Sequence, residues 1–258
     1  TTWGSKLSII VTSIASGVTV SLIPNIASSF VKKDMKDVTR KTNKAYQMVL
    51  YTTIPMATGL SLLAIPVWNV FYGPSEYGAN VFCVTVLVSV FSSISMNSTI
   101  IMQSLNQYKV VFATLFTGLV WNASMNIPMM TLCYHLGIPA YYGAPIASIT
   151  GYILSSGICL YYLNHKFKIS YQQTLRHLIH ILGANAAMIV VILLLNNVVP
   201  IDVVGFKQSI FVIVFYTLVG ATVYFGITKF NKTIDQIFGM EEIKRFLRKI
   251  PFIKKLVH

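Results

Sequence analysis

Of the 258 residues, 55% are hydrophobic and only 10% are charged, and the mean hydropathy is +0.67. A soluble domain carries roughly 25% Asp, Glu, Lys and Arg, so this chain has too little charge to cover a water-facing surface, and a soluble globular fold is excluded. The charge it has is one-sided, twenty Lys and Arg against seven Asp and Glu for a net of +13. That balance would suggest nucleic acid if the basic residues formed one face, but they fall in blocks between long uncharged runs.

Twenty-five uncharged residues separate Lys6 from Lys32, thirty-one separate Lys44 from Glu76, and thirty-two separate Glu76 from Lys109. Fifty-six separate Lys109 from Lys166, twenty-five separate Arg176 from Asp202, and twenty-one separate Lys207 from Lys229. A helix needs about 20 apolar residues to cross the hydrocarbon core. Five runs therefore hold one span each. The 56-residue run holds two, divided at Leu136-Gly137-Ile138-Pro139, where Gly and Pro favour a turn. The predicted spans are Leu7 to Phe30, Tyr46 to Tyr72, Ala79 to Met102, Val110 to Tyr134, Ala140 to Leu163, Leu178 to Val199 and Ser209 to Thr228. A transmembrane barrel would show alternating segments near ten residues, and none is present. The expected fold class is all-α, a polytopic transmembrane bundle.

Basic residues in short connections stay on the cytoplasmic side. The first, third and fifth connections plus the tail hold eighteen of the twenty Lys and Arg; only Lys6 and Lys207 lie elsewhere. The expected orientation places the amino end outside and the carboxyl end in the cytoplasm, in the cell membrane. The expected organisation is span one over 1–30, a cytoplasmic basic loop over 31–45, four spans over 46–163, a second basic loop over 164–177, two further spans over 178–228, and a basic tail over 229–258. In that tail Ile243, Phe246, Leu247, Ile250, Ile253 and Val257 fall on one helical face, with Lys and Arg largely opposite. This predicts an interfacial helix on anionic inner-leaflet lipids. A start at Thr1-Thr2-Trp3-Gly4, with neither initiator Met nor signal peptide, reads as the middle of a longer transporter.

Catalytic and metal signatures are absent from the sequence: there are no paired carboxylates, P-loop, GxSxG or HExxH. Cys83, Cys133 and Cys159 fall inside spans without ligand spacing and read as small packing residues. His177 and His180 can share a helix face, but no carboxylate accompanies them. No enzyme, cofactor or metal site is expected.

The spans are nonetheless not plain lipid-facing helices. Span one places Ser13, Gly17, Ser21, Asn25 and Ser29 four apart, on one slowly drifting stripe. Span three has Ser89, Ser93, Asn97 and then Ser104, and span four has Thr114, Gly118, Asn122 and Asn126. Span five offers Gly143, Ala147, Gly151 and Ser155, a small-xxx-small series suited to close helix packing. Asn25, Asn97, Asn122 and Asn126 fit two readings, packing glue or the lining of a wet cavity, because an amide in hydrocarbon needs a partner, and the four are candidate substrate-binding residues. Pro24, Pro55, Pro66, Pro128 and Pro145 punctuate the same elements, as in the broken helices around transporter cavities.

Four stretches resemble the multidrug/oligosaccharidyl-lipid/polysaccharide exporter superfamily: Ser21-Leu22-Ile23-Pro24-Asn25-Ile26 before a basic segment; Ile54-Pro55-Met56-Ala57-Thr58-Gly59-Leu60 through Ala64-Ile65-Pro66 to Phe71-Tyr72-Gly73; Gln103-Ser104-Leu105-Asn106-Gln107; and Leu136-Gly137-Ile138 through Tyr142-Gly143-Ala144-Pro145-Ile146-Ala147. The chain looks like spans eight to fourteen of a fourteen-span member, most like the polysaccharide-transporter and lipid II flippase branch. The resemblance implies transport of an undecaprenyl-pyrophosphate-linked oligosaccharide from inner to outer leaflet by alternating access, with an amino-terminal lobe as partner. It also implies that Lys6, near the start of span one, contacts pyrophosphate. An outer-interface Lys that snorkels to water is the competing reading of Lys6. A cation-coupled drug exporter and a non-transporting scaffold are the alternative functions.

Overall fold

The computed structural model describes residues 2–75, 77–202 and 205–239. Nine α-helices and one short 3-10 turn, Ala140–Tyr142, make up its regular structure, and there is no strand among the described residues. The helices are α1 (Thr2–Val31), α2 (Met35–Leu62), α3 (Ala64–Tyr72), α4 (Gly78–Ser104), α5 (Tyr108–His135), α6 (Gly143–Phe167), α7 (Gln172–Leu195), α8 (Phe206–Phe230) and α9 (Thr233–Phe238). Six of them are long and apolar enough to cross a bilayer, and the bent pair of α2 and α3 makes a seventh if the two cross as one broken span. The chain is a multi-pass helical membrane protein. The predicted amphipathic helix beyond residue 239 lies outside the described residues.

The second span, expected over Tyr46 to Tyr72 with Pro55 and Pro66 inside it, is broken. The helix stops at Leu62, turns through 74°, and resumes at Ala64. Pro66 accounts for the break: its nitrogen has no hydrogen to offer the Leu62 carbonyl one turn back, and its ring would collide with that carbonyl. Leu63 carries the corner, its N–H donating to Gly59 O and its carbonyl accepting from Val67 N, both at 3.0 Å. Pro24, Pro55 and Pro128 lie inside helices that continue past them.

The basic segment 31–45 differs from a loop as well. Only Lys32 to Asp34 form a turn, and α2 starts at Met35. The Asp34 carboxylate accepts from Asp37 N at 3.0 Å, and Asp37 sits in the first turn, where negative charge favours a helix start. Lys36, Arg40, Lys41 and Lys44 therefore ride on helical surface. Over 164–177 the connection shrinks to Lys168–Tyr171, with Lys168 in the left-handed region at φ 54° closing α6.

Two apolar cores organise the packing. One lies at the basic end and joins Ile26, Tyr46, Ile101, Leu105, Leu163 and Ile169 from α1, α2, α4, α6 and the α6–α7 connection. The other runs along α2 into the last helices through Tyr51, Ile54, Phe82, Ile181, Met188 and Tyr216. In this arrangement α4 touches α1, α2 and α6, α5 packs mainly on α6, and α7 packs on α2 and α8.

Polar side chains fasten α7 and α8 to α2. Thr58 Oγ1 donates to Asn185 Oδ1 at 2.7 Å, and the Tyr51 and Thr228 hydroxyls meet at 2.9 Å. Near the basic end, Thr174 Oγ1 donates to Asn43 Oδ1 at 2.5 Å. Pro55 deprives the Tyr51 carbonyl of its intrahelical donor, and the Tyr224 hydroxyl of α8 donates to that carbonyl instead, at 2.9 Å. Large apolar side chains such as Phe112, Phe116, Leu119, Ile179, Leu193 and Leu218 stand exposed on the periphery. On a water-soluble protein such a belt would be a liability; in a bilayer it is the lipid face.

Candidate transport face

The three polar stripes have the same four-residue spacing but different surroundings. On α4, Ser89, Ser93 and Asn97 are all buried inside the bundle, Asn97 at 1% exposure. Neighbouring Ser98 accepts from the Tyr46 hydroxyl of α2 at 2.8 Å, whereas neither polar atom of the Asn97 amide has a partner. The α5 stripe turns toward α6. Thr114 is buried and lies 3.6 Å from Cys159 Sγ, and Asn122 Nδ2 donates to Ser148 Oγ at 2.9 Å. The half-buried Asn126 keeps an unpartnered Oδ1.

The small residues of α6 sit where the backbones come closest. A Cβ on Gly143 would lie 2.4 Å from the Met130 Cα and nitrogen of α5. One on Gly151 would lie 3.3 Å from the Gly118 carbonyl oxygen, and Ala147 is fully buried. No rotamer can relieve a clash with backbone, so at Gly143 the absence of a side chain sets the α5–α6 distance.

The stripe of α1 is exposed among the described residues from Lys6 to Asn25, and Ser29 at its end is buried. Lys6, Ser13, Gly17, Ser21 and Asn25 are all exposed, and a Cβ on Gly17 would meet nothing within 4 Å. Ile10 and Ile14 lie among them, so the face is mixed, with one cation at its amino-terminal end. From Lys6 to Asn25 the helix rises about 29 Å at 1.5 Å per residue, close to the thickness of the hydrocarbon core, about 30 Å. An exposed band of hydroxyl, amide and ammonium groups along that whole depth is unsuited to lipid.

At its basic end the face meets an organised ionic group. Lys41 Nζ donates to the Asn25 carbonyl at 3.1 Å and to Ser29 Oγ at 2.7 Å, and pairs with Asp37 Oδ2 at 2.7 Å. Arg40 also pairs with Asp37. The hydrogen bonds from Lys41, Ser29 and Arg40 hold the Asp37 carboxyl well below the usual carboxylate range. Lys41 is a participant that sequence reasoning missed, because its spacing from Asn25 is sixteen residues. The only signal was a basic residue in the first turns of the helix that follows α1.

The predicted residues thus form separate groups. Lys6 and Asn25 share the outward face of α1, Asn97 is enclosed around α4, and Asn122 and Asn126 belong to α5 beside α6. No arrangement of three or more metal-ligating side chains occurs among the described residues.

No family model matches the chain. Among curated proteins it is similar to the Lipid II flippase MurJ of Bacillus subtilis (strain 168), 27% identical over 231 residues. The match takes in 87% of this chain but 41% of that protein, so the chain spans less than half the length of the relative it matches. This similarity supports the resemblance to the multidrug/oligosaccharidyl-lipid/polysaccharide exporter superfamily and is consistent with the carboxyl-terminal half of one of its flippases.

Proposed function

We propose that this chain forms the carboxyl-terminal half of a flippase that carries an undecaprenyl-pyrophosphate-linked oligosaccharide, lipid II or a polysaccharide repeat unit, from the inner to the outer leaflet by alternating access. The uncovered polar face of α1 is the observation that carries the reading. A sugar-pyrophosphate headgroup crossing hydrocarbon needs a polar surface along the full bilayer depth, and this face supplies one wall of it. An amino-terminal lobe of the same protein supplies the opposite wall. Lys6 contacts the pyrophosphate, and Asn25 hydrogen-bonds to the headgroup at the other end. Asn122 ties α5 to α6 through Ser148, Gly143, Ala147 and Gly151 let those two helices close, and the unpartnered amide of Asn97 and Oδ1 of Asn126 remain candidate substrate contacts.

In this reading α1 to α6 complete the carboxyl-terminal lobe, and α7 and α8 are an added pair. The segments around 31–45, 164–177 and 229–258 are cytoplasmic, and the basic tail lies on anionic inner-leaflet lipids. An inside-negative potential contributes roughly 2.3 kcal/mol per charge per 100 mV to outward movement of the anionic headgroup.

Depletion of the full-length protein tests the function: lipid-linked precursor should accumulate in the inner leaflet. A drug exporter or a scaffold would leave its distribution unchanged, and that result would overturn the proposal. Orientation has its own test in intact cells carrying a cysteine-free background. A cysteine at position 36, introduced as Lys36→Cys, should resist an impermeant thiol reagent, whereas ready labelling would invert the topology.

A further inference from the structure

Helix α1 carries the proposed transport face, and its two ends are held in different ways. At the basic end a turn of three residues, Lys32 to Asp34, joins it to α2, and Lys41 of α2 reaches back to it. An ammonium group has three hydrogens to donate. Those of Lys41 go to the Asn25 carbonyl at 3.1 Å, the Ser29 hydroxyl at 2.7 Å and the Asp37 carboxylate at 2.7 Å. The Ser29 hydroxyl also donates to Asp37 Oδ2, at 2.6 Å. With its donors spent in this way, Lys41 has none to offer a substrate phosphate, and its effect is to hold a helix in place. Ile26, buried in the core at the basic end, and Phe30, whose ring meets that of Phe167 edge-on at 5.8 Å, anchor the same turns of α1.

Toward the amino-terminal end the contacts change in kind. Gly4 lies against the start of α4, where a Cβ on it would be 3.5 Å from the Phe82 Cα and 3.7 Å from the Thr85 Cβ. Both helices begin at this end. Helical spacing carries the contact along Ser8, Val11, Ala15 and Thr19 of α1 and along Val86, Ser89, Ser93 and Asn97 of α4, all of them buried. The hydroxyls of these two stripes turn back on their own helices: Ser8 donates to Gly4 O, Thr19 to Ala15 O, Ser89 to Val86 O and Ser93 to Ser89 O. A hydrogen bond across a dry interface resists sliding, because breaking it strands a buried donor and acceptor. The hydroxyls here keep their bonds when α1 shifts on α4, and the unpartnered Asn97 amide has none to lose. The remaining contact is apolar and non-directional. The α5–α6 pair differs, since Trp121 with Thr150 and Asn122 with Ser148 bond one helix directly to the other.

We infer that α1 pivots about its basic end, with Lys41 as the positioning residue that fixes the pivot, so that the amino-terminal part of the polar face swings against α4. The role of this motion in transport rests on the flippase reading, whereas the motion itself is measurable without any transport.

Spin-label distances in the full-length protein, on a cysteine-free background in lipid nanodiscs, test the pivot with α5 as the common reference. Ile9→Cys with Tyr134→Cys reports the amino-terminal end of α1, and Val31→Cys with Tyr108→Cys reports the basic end, all four positions being exposed. The first pair should show two distances or one broad distribution, and the second a single narrow one. Lys41→Met should broaden the second distribution, and Lys41→Arg should restore it, because a guanidinium keeps donors for both helices. A single narrow distance at the first pair, equal spread at both pairs, or a second pair indifferent to Lys41→Met would overturn the pivot, whether or not the protein flips lipid. A disulfide ties the motion to transport. Gly4→Cys with Thr85→Cys brings two Cβ atoms to 3.7 Å, close to the usual spacing in a disulfide, about 3.8 Å. Oxidation should halt outward flipping of the lipid-linked precursor, and reduction should restore it. Full flipping by the oxidised pair would overturn the swing of α1 as a step of transport.

Discussion

Replacing Gly143 with alanine should cost about 2–3 kcal/mol of folded-state stability, the upper part of the range for forcing extra atoms into a packed contact. The new Cβ would be placed 2.4 Å from the Met130 Cα and nitrogen and 2.7 Å from the Met129 carbonyl carbon. All three are backbone atoms of α5, so the strain can be relieved only by separating the two helices. Separation would also disturb the Asn122 to Ser148 bond and the Gly118 to Gly151 approach further along the same pair. Gly157, on the same helix, is the control, since a Cβ there meets nothing within 4 Å. Gly157→Ala should be neutral or stabilise by up to about 1 kcal/mol through helix propensity. Thermal unfolding of the two variants in detergent decides the matter, and equal melting temperatures would show that α5 and α6 do not depend on this contact.

The second large effect is expected at Lys6. In the intact protein, Lys6→Ala should lower outward flipping of the lipid-linked precursor at least about tenfold, because a charge-assisted hydrogen bond to phosphate is worth about 1.5–3 kcal/mol. Its amount in the membrane should not change, since Lys6 is exposed on α1 and belongs to neither apolar core. Lys6→Arg keeps the charge and should retain most of the activity. An interfacial lysine that merely reaches water would tolerate alanine. Full complementation by Lys6→Ala would therefore retire the pyrophosphate contact while leaving the precursor-accumulation test of the wider function in place.

What the sequence made legible was long-range patterning of charge, and what it hid was decided by neighbours. Uncharged runs located every long helix because lipid tolerates almost nothing else over 20 residues. The corner at Leu63 had a visible cause in Pro66, but a proline inside an apolar run is compatible with a kink, a break or a continuous helix. Pro24, Pro55 and Pro128 lie in continuous ones. Density of charge disguised the first turns of α2 as a loop; the Asp34 cap and Asp37 were the local evidence for a helix.

The polar stripes show the same limit. Spacing by four identified each stripe on α1, α4 and α5, yet which one is left uncovered depends on helix adjacency, which no local pattern encodes. The pairing of His177 with Gln236 bridges fifty-nine residues, and that of Asn43 with Thr174 bridges 131. Neither pairing could be read from one segment alone.

The bond from the Tyr224 hydroxyl to the Tyr51 carbonyl also bears on how such a lobe can move. Pro55 leaves that carbonyl without a donor, and hydrocarbon offers no replacement if α8 withdraws. The pair α7 and α8 is therefore not a loose appendage sliding past α2. Drawing α8 away from α2 strands that carbonyl at a cost of about 1–3 kcal/mol, so the bond favours the two helices moving together.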